Sequence, residues 1–146
     1  MKKFHFRLER YRHLKAQEEK AAQMEFVKAQ KEFQDETARL TALRQKNSEL
    51  LALNRKLLQG KLQRELLDAC YGCLLVQRNS LAEQTDIVFQ AEEKMKGEQR
   101  VYIEARKSSK LLDRLYQRQW TAYYQEFLHS EQKMLDEIGL ISYLKD

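Results

Sequence analysis

Residues 22–57 read AQMEFVKAQKEFQDETARLTALRQKNSELLALNRKL, and the spacing of their apolar side chains decides the fold. Ala22, Phe26, Ala29, Phe33, Leu40, Leu43, Leu50 and Leu57 fall on one stripe whose steps alternate between four and three. Asn47 and Asn54 fill the same stripe, and Glu36 is its one charged interruption. A stripe of this period is a heptad seam: it keeps one face of an α-helix turned toward a partner helix. Asn at two seam positions one heptad apart sets register at a cost in stability. Upstream, Phe4, Leu8 and Tyr11 continue the stripe, with a register slip between Leu14 and Ala22.

The second half repeats the pattern. Val88, Ala91, Met95, Tyr102, Ala105, Ser109, Leu112, Tyr116, Gln119 and Tyr123 follow the same steps, interrupted by Glu98. A shifted stripe then runs through Trp120, Phe127, Met134, Ile138 and Ile141. Composition agrees with two long amphipathic helices. The 146 residues include no proline and four glycines, 34% are charged, and mean hydropathy is −0.77. Few helix breakers permit long helices, and so polar a chain supports a thin seam rather than a thick core. The expected fold is all-α: a long antiparallel two-helix coiled-coil hairpin over residues 1–146 as one domain. Helix 1 is expected over about 4–58, a tip segment over about 59–79 and helix 2 over about 80–142. A helix of roughly 54 residues would be about 80 Å long.

The tip admits two readings. Gly60 ends the first seam, and Arg55, Lys56 and Lys61 suit a helix C-terminus. The run from Glu65 to Val76 is too apolar for a two-helix stripe, and Ser80-x-x-Glu83 matches a capping box. Together they suggest a short third helix over about 62–78. One continuous helix from about residue 63 to the C-terminal end is the alternative. A parallel dimer using the same seam also stays open.

Net charge is +5, and its placement matters more than its size. Residues 2–15 carry six cations (Lys2, Lys3, Arg7, Arg10, Arg12, Lys15) against Glu9 alone, net +5. Residues 126–146 carry five acids against Lys133 and Lys145, net −3. Both clusters oppose the helix dipole, yet an antiparallel hairpin lets them attract each other. The two chain ends are therefore expected to pair, with Phe6 near Leu140.

Signatures of chemistry are missing. The chain has no phosphate-binding glycine loop, no dinucleotide fingerprint, no H-E-x-x-H and no G-x-S-x-G. The acidic pairs Glu18-Glu19, Glu92-Glu93 and Asp136-Glu137 are adjacent and so do not share a helix face. His5, His13 and His129 are scattered, which leaves Cys70-Tyr-Gly-Cys73 without the further ligands zinc requires. The two cysteines read as small apolar residues on a buried helix face. No enzyme, cofactor or metal is expected. No apolar run reaches the roughly 20 residues of a membrane span, and no secretory signal is read at the start. A cytosolic protein acting through helix surfaces is expected. The interleaving of Phe4, Phe6, Leu8 and Tyr11 with the N-terminal cations argues against nucleic acid as a partner, and binding to a membrane surface is the weaker alternative.

The opening Lys3-Phe-His-Phe-Arg-Leu-Glu9, followed by Tyr11 and Leu14-Lys15, resembles the start of the flagellar FliJ family. The closing Glu131-Gln-Lys-Met-Leu-Asp-Glu-Ile138 is similar to its end, and Gly60 and Lys110-Leu-Leu-Asp-Arg-Leu115 match between them. The resemblance implies a soluble stalk of the flagellar type III export apparatus. Such a stalk would stand at the cytoplasmic face of the inner membrane, with peripheral membrane association through the apparatus. It would sit in the export ATPase hexamer, link it to the cytoplasmic domain of the export gate and assist substrate chaperones. Phe4, Phe6, Arg7, Leu8, Arg10, Tyr11, Gln132, Asp136 and Glu137 would then contact the ATPase ring, and Leu43, Leu50, Leu74 and Leu81 the gate. The equivalent stalk of a virulence-type secretion system is the alternative within the same class.

Overall fold

The computed structural model describes residues 3–144. Two helices make up nearly all of it: α1, Glu9–Gln59, and α2, Arg64–Tyr143. Contacts divide the chain into two compact units, residues 1–21 with 103–146, and residues 22–102. Among the described residues there is no strand. The protein is an all-α helical hairpin.

In the unit of residues 22–102 the two helices run antiparallel. Phe26 stacks on Tyr102, Glu32 meets Lys94, Glu36 meets Gln84, and the Leu43 carbonyl meets Gln77, so numbers fall on α2 as they rise on α1. From Ala22 to Leu57 the residues withdrawn from solvent on α1 are Ala22, Phe26, Ala29, Phe33, Glu36, Leu40, Leu43, Asn47, Leu50, Asn54 and Leu57. That is the heptad stripe read above, position for position. Ala29 goes deepest, and Ala22, Leu40 and Cys70 are buried along the same seam. Small seam residues let the helices approach closely, while larger knobs stay half-covered because only one partner helix faces them.

The stripe on α2 explains why the tip holds no separate helix. Leu67, Cys70, Leu74, Gln77, Leu81, Gln84 and Val88 all withdraw from solvent at alternating steps of three and four. This phase is continuous with Ala91 to Tyr102, so residues 64–102 can face α1 without a break. The expected short helix over 62–78 and the start at Ser80 are corrected: α2 begins at Arg64, and Ser80 and Glu83 lie in its interior. A capping box stabilises a helix start only where the chain has an unpaired first turn to cap. Only residues 60–63 separate the helices. Gly60 is not in the left-handed conformation, so it ends α1 without a left-handed glycine cap.

Two glutamines bind across the seam. Gln84 Nε2 donates to the Glu36 carbonyl at 3.0 Å and to its carboxylate at 2.6 Å, and Gln77 Nε2 donates to the Leu43 carbonyl at 3.0 Å. A carboxylate in an apolar stripe is tolerated because a donor faces it. Gln84→Leu should therefore destabilise the protein by about 1–3 kcal/mol. Adding Glu36→Leu should restore most of that loss, since a matched apolar pair leaves nothing unsatisfied. A double-mutant cycle by urea denaturation reads the coupling, and strictly additive effects would refute it.

The other unit joins residues 3–21 to residues 103–144. Helix α1 starts at Glu9, not near residue 4, and the Glu9 N–H donates to the Phe6 carbonyl at 3.1 Å. Residues 3–6 are not helical. Phe4 and Phe6 are two apart, which on a helix would point them about 200° from each other. Off the helix, both reach the ring of Tyr116.

Candidate partner-binding surfaces

An aromatic cluster fastens the N-terminal segment to α2. The Phe6 ring meets Tyr116 edge-on at 5.3 Å and 90°, and Phe6 is only 5% exposed. Phe4 sits among three rings, with centroids 5.6 Å from Tyr116, 5.1 Å from Trp120 and 5.3 Å from Tyr123. Edge-to-face pairs of this kind add about 0.5–1.5 kcal/mol beyond the area they bury. Arg12 completes the arrangement. Its Nε donates to Asp113 Oδ1 at 2.7 Å, and its guanidinium lies 4.1 Å from the Tyr116 ring centre. The hydrogen bond to Asp113 holds the guanidinium pKa above its ordinary value, against the opposing effect of burial. Lys15 is likewise raised by its hydrogen bond to Glu18, so both cations already have carboxylate partners within the chain.

This geometry corrects the expected pairing of the two charged ends. The first acid across from the basic start is Asp113, and Phe6 faces Tyr116 rather than Leu140. Residues 131–144 are exposed throughout, and among the described residues Glu131, Asp136 and Glu137 have no ion pair. Aromatic burial decides the register. An exposed ion pair contributes about 0–1 kcal/mol, less than the burial of two phenylalanines.

The residues expected at an ATPase ring thus divide. Phe6 is buried and Phe4 is half-buried, so both act first as packing residues. Arg7, Leu8, Arg10 and Tyr11 are exposed beside them, and an open concavity of about 680 Å³ is lined by Phe4, His5, Phe6, Arg7, Glu9, Arg10 and Tyr116. Gln132, Asp136 and Glu137 are exposed on the last turns of α2, and no described contact joins them to the basic start. No sequence signal distinguished Tyr116, Trp120 and Asp113 as the platform, because Tyr116 reads as an ordinary seam position.

In the unit of residues 22–102, Leu43, Leu50, Leu74 and Leu81 are half-buried in the seam, so they hold α1 to α2 and offer a partner only their edges. Around the helix–helix connection the outward apolar surface includes Leu51, Leu53, Leu58, Leu62, Leu66, Tyr71, Leu75 and Val76. Cys70 is buried in the seam, as its small apolar character suggested, whereas Cys73 is exposed; both are free thiols. Among the described residues no cluster of His, Cys, Asp or Glu could hold a metal ion, and no helix is long and apolar enough to cross a membrane.

Comparison with known proteins adds one result. The family model described as "Flagellar FliJ protein" matches residues 4–146. No curated protein and no solved structure gives a significant match.

Proposed function

Because the chain belongs to the flagellar FliJ protein family, we propose that it is a non-enzymatic stalk of the flagellar type III export apparatus. In this reading it binds the export ATPase hexamer, links it to the cytoplasmic domain of the export gate and assists substrate chaperones. It works at the cytoplasmic face of the inner membrane. The observation that carries the reading is the family match, which spans residues 4–146 and so takes in the closing motif and all of the opening one but Lys3.

The surfaces suit the role. Arg7 and Arg10 are exposed and, among the described residues, hold no intramolecular ion pair, so their charge is available to steer a partner. Leu8 and Tyr11 beside them supply apolar contact, and Asp136 and Glu137, with the neutral Gln132 near them, present the opposite charge from the end of α2. Leu43, Leu50, Leu74 and Leu81 would reach the gate along the seam edge, together with the exposed leucines around residues 51–66. A nucleic-acid or membrane reading draws less support. Arg12 and Lys15 are committed to Asp113 and Glu18, which interrupts the basic face such binding would need.

The test is ATP hydrolysis by a cognate export ATPase titrated with the purified chain. The chain should raise turnover, and Arg7→Glu with Arg10→Glu should weaken the half-saturating concentration about tenfold, because charge reversal adds repulsion to lost attraction. Unchanged hydrolysis, together with no binding to the gate's cytoplasmic domain, would sink the proposal.

A further inference from the structure

The seam on α2 does not stop where its partner does. In the unit of residues 3–21 and 103–144, its steps of three and four run through Leu112, Tyr116 and Tyr123 to Phe127 and Ser130. They continue in phase at Met134, Glu137, Ile141 and Leu144, with Ile138 beside them. Residues 131–144 are exposed on every face, with Met134, Ile138 and Ile141 at 57%, 63% and 57%. Segment 3–6 is spent on Tyr116, Trp120 and Tyr123, so no described part of the chain lies along this stripe. About four turns of α2, roughly 21 Å, present a seam without a partner helix.

Charge says what would cover it. Residues 126–144 carry Glu126, Glu131, Asp136 and Glu137 against Lys133, net −3. A second copy would set −3 against −3, which disfavours self-association through this face. The seam carboxylate at Glu137 also lacks a facing donor among the described residues. Elsewhere in this protein a seam carboxylate has one: Glu36 accepts from Gln84 at 2.6 Å. We infer that Met134, Ile138, Ile141 and Leu144 dock an amphipathic α-helix of a partner protein that carries lysine or arginine beside its apolar stripe. The helix continues the seam α1 leaves off, with its cations against Glu131, Asp136 and Glu137. This rests on the stalk reading only in expecting a partner at this end of α2, and its test needs no ATPase.

The probe is a synthetic peptide of about three heptads with leucine at a and d and lysine at e and g, titrated into the full chain by calorimetry. The same peptide with glutamate for lysine is the control. Ile138→Gln with Ile141→Gln removes apolar contact at exposed positions, so the fold is retained and helix content by circular dichroism checks it. The lysine peptide should bind the parent chain, and this double variant should bind it at least about tenfold more weakly. Glu131→Gln with Asp136→Asn and Glu137→Gln should weaken it too and flatten its salt dependence. No binding, equal binding by the double variant, or equal binding of the glutamate peptide would overturn the inference. So would self-association of the parent chain that the double variant abolishes, since the occupant would then be a second copy. Failure here with intact ATPase stimulation would leave the stalk reading standing.

Discussion

Ala82→Pro is expected to lower stability by about 3 kcal/mol or more, read from the urea midpoint followed by circular dichroism at 222 nm. Ala82 is exposed, so the substitution removes no packing. Its cost is in the backbone: proline lacks the N–H that bonds to residue 78, and its ring clashes with that carbonyl. The position makes the experiment decisive. Were Ser80 the cap of a new helix, Ala82 would lie in the first turn, where N–H groups have no helical acceptor and proline costs little. Ala82→Gly, expected to cost about 1 kcal/mol, is the control for simple loss of helix propensity. A near-neutral proline would restore the separate tip helix.

Phe6→Ala should be the most damaging truncation in the N-terminal segment, at about 3 kcal/mol. Phe6 is the one large side chain of residues 3–8 that is buried, and its ring closes on Tyr116. Truncation leaves the ring of Phe4 as the remaining described aromatic contact of the segment with α2. Trp120, the only tryptophan, lies 5.1 Å from Phe4 and reports the loss directly. Its emission should shift to the red, and cleavage after Arg7 and Arg10 by trypsin should quicken. Leu8→Ala, at an already exposed position, should cost less than about 1 kcal/mol. An unchanged urea midpoint with unchanged Trp120 emission would refute the anchoring role of Phe6.

The candidate surfaces were only partly legible beforehand. Periodicity placed Leu43 and Leu50 on the seam, whereas Leu74 and Leu81 were named only through the family resemblance and prove to be seam residues too, and seam residues are those a hairpin hides from partners. Leu58, Leu62 and Leu66 break the period, so the surface they make emerges only once the seam phase is known. The terminal motifs identified the family, and the match over residues 4–146 agrees. Motifs could not say that Phe4 and Phe6 face inward while Arg7 and Arg10 face outward, because that division depends on where the helix begins.

By itself the sequence determined that this protein is two long helices meeting along a heptad seam. Local information suffices for that: the period of apolar residues and the absence of proline are properties of each segment alone. The tertiary structure decided the rest, beginning with the start of α2 at Arg64 rather than Ser80. A capping pattern and a continuing seam compete there, and packing against α1 favours the seam. It also decided that the basic start meets Asp113 and an aromatic platform, not the acidic end of the chain. Charge complementarity alone allows many registers, since exposed ions are screened by dissolved salt over about 10 Å. Buried rings allow one, because each must find its own complementary surface, and that choice leaves residues 131–144 uncovered.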